Sequence, residues 1–148
     1  MDQQELARVG TVVLLRDDGA ALMQHRDDKP GLSRAAMWVI PGGHQEPGEA
    51  SAECARRELE EETDYRCDDL HFLAELPDTN DVTGRPYTLV VFWARYDGRQ
   101  PLQCREGQGL RFLRRSEAAA YPIPEVVLRA WDMALAAALP ATRPTQGG

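Results

Sequence analysis

The chain has 148 residues, 43% hydrophobic and 28% charged, a composition that fits one self-folding domain and excludes disordered and fibrous classes. Its net charge of -7 at pH 7 excludes the broad basic field that nucleic acid or an anionic membrane surface attracts. The opening MDQQELARVG lacks a signal-peptide pattern and no apolar run approaches the roughly 18 residues of a membrane span, so a cytoplasmic protein is expected.

Along the chain, the β-branched run Val9 to Leu15 ends at the turn Arg16-Asp17-Asp18-Gly19, and Ala20 to Gln24 resumes an extended pattern, which predicts a hairpin. HRDDKPGLSRAAM then reads as a loop leading to a short strand at Trp38-Val39-Ile40, stopped by Pro41-Gly42-Gly43. From about Glu49 to Thr63 the run of Ala, Glu, Arg and Leu without Pro or Gly predicts a helix. Strands are expected at Leu70 to Leu76 and Tyr87 to Tyr96, separated by the turn-rich PDTNDVTGRP, and another at Gly109 to Leu113. After Pro122 and Pro124, a last helix carries Val127, Ala130, Trp131, Ala134, Leu135 and Ala138 on one stripe. This order predicts the α/β (α+β) class, a mixed sheet packed between helices, in a single domain over residues 1–140 with a disordered tail at 141–148. Cys54, Cys67 and Cys104 have no C-x-x-C or zinc spacing, so reduced structural thiols are expected.

The stretch PGGHQEPGEASAECARRELEEETDY holds seven glutamates, which poses the question of a site against a solvated surface. On a helical wheel Ala52, Ala55 and Leu59 form an apolar stripe, with Glu62, Glu58 and Glu61 beside it at roughly 280°, 240° and 180°, and Glu53, Arg56 and Glu60 outward. A solvated face is one reading, since Glu53 with Arg57, Arg56 with Glu60 and Arg57 with Glu61 have ion-pair spacing. Against it, carboxylates at i, i+3 and i+4 next to an apolar face repel unless a cation neutralises them, and such hard oxygen ligands suit Mg²⁺ or Mn²⁺. The upstream Gly42 and Gly43 permit close backbone approach to a ligand, and their carbonyls are further candidate metal ligands.

This stretch resembles the Nudix box, G-x5-E-x7-R-E-U-x-E-E-x-G-U with U a bulky apolar residue: Gly43, Glu49, Arg57, Glu58, Leu59, Glu61 and Glu62 fall in register. Two positions depart from it, Asp64 in place of Gly and Tyr65 in place of an aliphatic residue. Asp tolerates the left-handed conformation that ends such a helix, so modest strain is expected there and not loss of the site. The resemblance implies a Nudix-type α/β/α sandwich and a Mg²⁺-dependent hydrolase (Mn²⁺ as the alternative ion) that cleaves a phosphoanhydride in a nucleoside triphosphate or another nucleoside-diphosphate derivative such as a nucleotide sugar. A small phosphorylated molecule is the expected partner, with no nucleic acid and no membrane; a homodimer stays open. Two other readings stand beside hydrolysis of a nucleotide: a sensing module without turnover, and hydrolysis of a non-nucleotide diphosphate.

The resemblance also implies residue roles. Glu58, Glu61 and Glu62 would bind the metal with a carbonyl of Gly42 or Gly43, Arg57 would orient glutamates, and Glu49 would brace the loop. Glu61 is the first candidate for general base and Glu58 the second. Glu106-Gly107-Gln108 resembles the EGQ segment of MutT-type members, where the Glu reaches back to the metal; an ordinary acidic turn is the other reading. Substrate contacts are expected from Arg26 and Arg34, from Trp38 as a stacking surface or alternatively as core, and from His44, which an exposed loop position would equally explain. MutT-type enzymes that clear oxidised guanine nucleotides read the base with an Asn near the start of the last helix, and YPIPEVV has none, which argues against that specificity.

Overall fold

A computed structural model describes residues 6–139; the expected tail at 141–148 lies outside the described residues. The β-branched run forms β1 (Ala7–Leu15), and Gly19, at φ 82, turns the chain into β2 (Ala21–His25), which pairs antiparallel with β1 as expected. β3 (Trp38–Val39) pairs with β2, and β4 (Gly42–His44) with β1. Helix α1 (Ser51–Thr63) follows, then β5 (His71–Thr79), β6 (Pro86–Arg95), β7 (Gly109–Leu113), a 3-10 helix (Arg115–Ala120) and α2 (Glu125–Ala138).

The sheet is mixed: β1 runs parallel to β6, with Val9 opposite Leu89 and Val13 opposite Trp93, and β5 lies antiparallel on the far side of β6. Because strand side chains alternate between faces, β1 serves two cores at once. Val13 and Leu15 pack with Leu89, Val91 and the α2 residues Val127, Ala130, Trp131 and Ala134. Val12 and Leu14 pack with Val90, Phe92 and the α1 residues Ala55 and Leu59. The sheet is therefore sandwiched between the two helices, the α/β/α arrangement expected. Trp131 is fully buried, and its indole N–H donates to the Gly19 carbonyl at 3.1 Å, tying α2 to the β1–β2 turn. Among the described residues no helix is long and apolar enough to cross a membrane.

Three local features go beyond the expectations. β3 ends before Pro41-Gly42-Gly43 as expected, but Gly42 and Gly43 then open a further strand, β4, because Gly10 opposite Gly43 lets two backbones meet where side chains would collide. A Cβ on Gly42 would sit 2.4 Å from the Gly10 carbonyl oxygen, and one on Gly10 would sit 3.0 Å from the Cys54 sulfur. β5 extends through Pro77 to Thr79, into the stretch read as turn; an edge strand tolerates a residue that cannot donate. The 3-10 helix was not anticipated, since RSEAAA has no apolar period; Arg114 N–H donating to the Glu117 carboxylate at 2.8 Å caps it.

Candidate active site

Helix α1 meets the sheet along Cys54, Ala55 and Leu59, and the same face carries Glu62 inward. Glu62 is only 4% exposed, and its Oε2 accepts the Gly42 N–H at 3.0 Å. One turn earlier, Glu58 lies against the other glycine: a Cβ on Gly43 would be 2.2 Å from the Glu58 carboxyl carbon, so only glycine leaves room for that carboxylate. The Gly43 carbonyl, an expected ligand, accepts the Cys54 thiol at 3.3 Å.

Behind these carboxylates lies Arg57. Its guanidinium donates to Glu49 Oε2 at 2.7 Å and Oε1 at 2.9 Å, to Glu58 Oε1 at 2.9 Å, to Glu61 Oε2 at 3.3 Å and to the His44 carbonyl at 3.2 Å. One planar cation thus braces the glycine loop and fixes Glu58. The hydrogen bonds from Arg57 hold the Glu49 carboxyl down to about 2, and Arg57 itself is raised in turn. The expected pairs of Glu53 with Arg57 and Arg56 with Glu60 do not form; Glu60 instead accepts from Arg66 at 3.0 Å.

A cavity of about 630 Å³ opens over the glutamates, and Gly42, Gly43, His44, Glu58, Glu62, Glu106, Arg26 and Arg34 all line it. Glu106 arrives from the loop before β7, whose Gln24 partner donates to the Glu106 carbonyl at 3.1 Å. Burial first and the Glu106 charge second push the Glu62 carboxyl up to about 9, against the opposing Gly42 hydrogen bond. Burial likewise raises Glu58, with Arg57 pulling the other way. Three carboxylates at one end of a cavity are an arrangement short of positive charge, and an all-oxygen donor set of this kind fits a hard divalent cation. Among the described residues no group of three or more His, Cys, Asp or Glu side chains is arranged to hold an ion.

Some expected site residues lie elsewhere. Glu61 does not line the cavity; its side chain is 58% exposed and bound to Arg57. Trp38 stacks on His25 with ring centroids 4.5 Å apart and meets Tyr121 edge-on, so in this structure it packs beside the core and not along the cavity. Arg34, at φ 55, is held by its N–H to Asp81 at 3.1 Å and by its guanidinium to Asp78 at 3.0 Å. Asp78 also accepts the Tyr87 hydroxyl, and burial together with that bond raises the Tyr87 phenol. Asp78, Asn80 and Val126 line the cavity without having been singled out, and Val127, expected only on the apolar stripe of the last helix, lines it too. Asp78 faces Tyr87 directly across β5 and β6, a pairing visible only once β5 is seen to run past Pro77.

Comparison with known proteins follows the same pattern. A family model described as the NUDIX domain matches residues 6–133. A protein of Bacillus subtilis named putative 8-oxo-dGTP diphosphatase is 39% identical over 54 residues, which cover 36% of this chain and 32% of that protein, so the match spans about a third of its length. The E. coli ORF135 protein superposes with a TM-score of 0.70 at 27% identity, covering 93% of this chain and 95% of that one. The NUDIX domain of Shewanella oneidensis NrtR, solved with ADP ribose, gives a TM-score of 0.75 at 17% identity over 92% of this chain and 90% of that one, which shows the shared fold. With the family model spanning nearly all the described residues and the glutamate helix packed as its spacing required, the chain belongs to the NUDIX family.

Proposed function

We propose that this chain is a Mg²⁺-dependent hydrolase that cleaves a phosphoanhydride bond in a nucleoside triphosphate or another nucleoside-diphosphate derivative. The observation that carries the reading is the convergence of Glu58, Glu62 and Glu106 on one end of a cavity whose walls also present Arg26 and Arg34. A bound divalent cation would supply charge neutralisation for the phosphoanhydride oxygens and acidify the attacking water. Glu58, Glu62 and Glu106 are the residues that would hold it, and Mn²⁺ suits the same donors.

The chain's own side chains divide the remaining work. Arg57 and Glu49 keep Glu58 and the glycine loop in place. Arg26, whose Nε donates to the Ser33 carbonyl at 2.7 Å, and Arg34 place positive charge along the cavity for phosphate oxygens. Of the two candidates for accepting the proton of water, Glu58 lines the cavity and Glu61 does not, which supports Glu58. The apolar wall of Leu89, Val126 and Val127 offers a surface for the nucleoside. It carries no Asn where the first turn of α2 borders the cavity, an argument against oxidised guanine as the preferred base despite the name of the Bacillus subtilis relative.

The reading is tested by measuring product release with Mg²⁺ across nucleoside triphosphates including 8-oxo-dGTP, nucleotide sugars, ADP ribose, dinucleoside polyphosphates and isoprenoid diphosphates. Turnover of a nucleotide substrate is expected. Turnover of isoprenoid diphosphates alone would move the substrate class, and binding of ADP ribose without turnover would make the chain a sensor.

A further inference from the structure

Asp64 ends α1 in the left-handed region, at φ 66 and ψ 8, with its N–H donating to the Glu60 carbonyl at 2.9 Å. Glycine adopts this conformation without the steric cost that a Cβ brings. Backbone geometry therefore gives no reason for an acid here, but the side chain does. Arg105 meets the Asp64 carboxylate with two nitrogens, Nε at 3.1 and 3.2 Å from its two oxygens and a terminal nitrogen at 2.7 Å. The same loop donates its backbone to the end of the helix, Gln103 N–H to the Thr63 carbonyl at 3.0 Å and Arg105 N–H to the Glu62 carbonyl at 2.9 Å.

The residue after Arg105 is Glu106, which lines the cavity with Glu58 and Glu62. Its other flank is fastened to β2: Gly107, at φ 84, lies so close that a Cβ would be 2.4 Å from the His25 carbonyl oxygen, and Gln108 N–H donates to that oxygen at 2.7 Å. Glu106 is thus held from both sides, by β2 after it and by the end of α1 before it. Holding is needed because a cation site requires both carboxylates ionised, and once ionised Glu106 and Glu62 repel as like charges, which pushes the loop away from the helix until a cation lies between them. We propose that Asp64 and Arg105 are positioning residues that fix the Glu106 loop against Glu62 at the cation-binding end of the cavity. Neither side chain lines that cavity; they act through Glu106. The proposal rests on the metal reading of the site given above.

The pair is partly exposed, so its effect is modest, about two- to fivefold on the equilibria it biases. Two measurements read it: amide hydrogen exchange at Gln103 and Arg105 in cation-free protein, and Mn²⁺ affinity by electron paramagnetic resonance. Asp64→Gly keeps the backbone conformation, so its melting temperature should equal or exceed that of the parent. Both amides should nevertheless exchange about two- to fivefold faster, and the Mn²⁺ dissociation constant should rise by a similar factor. Arg105→Ala should match it, the double variant should be no worse than either single one, and Asp64→Asn, which retains an acceptor oxygen, should fall between. Exchange and Mn²⁺ affinity unchanged in both single variants, beside a Glu62→Gln control that binds Mn²⁺ weakly, would overturn the positioning role alone. A parent protein that binds no Mn²⁺, or a Glu62→Gln control that binds it as tightly as the parent, would overturn the metal reading and this role with it.

Discussion

Gly42 and Gly43 are neighbours of identical chemistry, yet a methyl group on each would meet a different kind of obstacle. On Gly43 it meets the far end of the Glu58 side chain, which can swing aside; on Gly42 it meets the Gly10 carbonyl and Thr11 of β1, which cannot. Gly43→Ala should therefore fold with nearly the parent melting temperature and lose activity by about tenfold or more, as Glu58 leaves its place. Gly42→Ala should cost about 2–3 kcal/mol of stability by thermal unfolding. Glu62 makes a second prediction at this scale. Its folded-state pKa lies well above the ordinary carboxylate value, so the folded form holds its proton more tightly than the unfolded one, and the stability this contributes is lost as pH rises from about 4.5 toward about 9. Cation-free protein in chelator should melt lower at pH 8 than at pH 5.5, Mg²⁺ should reverse much of the loss, and Glu62→Gln should flatten the dependence. Helical spacing put Glu58 and Glu62 beside the buried stripe, and the structure has both lining the cavity there, because a helix turns a sequence interval into a direction. The Asp78–Tyr87 pair was not legible, since its two members meet only through strand register.

Helix α1 does two jobs with adjacent faces, one closing the core through Ala55 and Leu59 and the other presenting acid to the cavity. The two can be separated. Leu59 is fully buried, and Leu59→Ala should cost about 2–5 kcal/mol of stability. Arg57→Lys, in contrast, should leave stability within about 1 kcal/mol while lowering kcat, because one ammonium cannot reach Glu49, Glu58 and the His44 carbonyl together as the guanidinium does. Equal losses of stability and activity in Arg57→Lys would contradict this division. The wheel placed the inward stripe and the outward Glu53, Arg56 and Glu60 correctly, since burial follows helical period. It placed Glu61 with the site carboxylates, whereas the folded chain turns Glu61 to solvent and to Arg57. Elements without a period were the ones missed: β4 is two glycines and His44, the end of β5 contains a proline, and the 3-10 helix is half alanine.

On the proposed function an acidic chain handles an anionic substrate, a combination that requires positive charge at one place and not over the surface. The fold supplies that place by feeding α1, the glycine strand β4, the Glu106 loop, and the Arg26 and Arg34 segment into one cavity. The layering of a mixed sheet between helices was readable from the order of strands and helices, whereas the service of β1 to both faces was not. How four separate segments would converge was not readable, because it depends on crossovers such as the parallel pairing of β1 with β6. The central claim is that these carboxylates hold a divalent cation for phosphoanhydride cleavage. It is tested most directly by the steady-state cleavage rate of the best nucleotide substrate, measured with Mg²⁺ for the parent and for Glu62→Gln, each checked for folding by circular dichroism. The account predicts Mg²⁺-dependent turnover that chelator abolishes and that falls by about 100-fold or more in the folded Glu62→Gln variant. A folded Glu62→Gln variant that turns over as fast as the parent, or a parent indifferent to chelator, would contradict it.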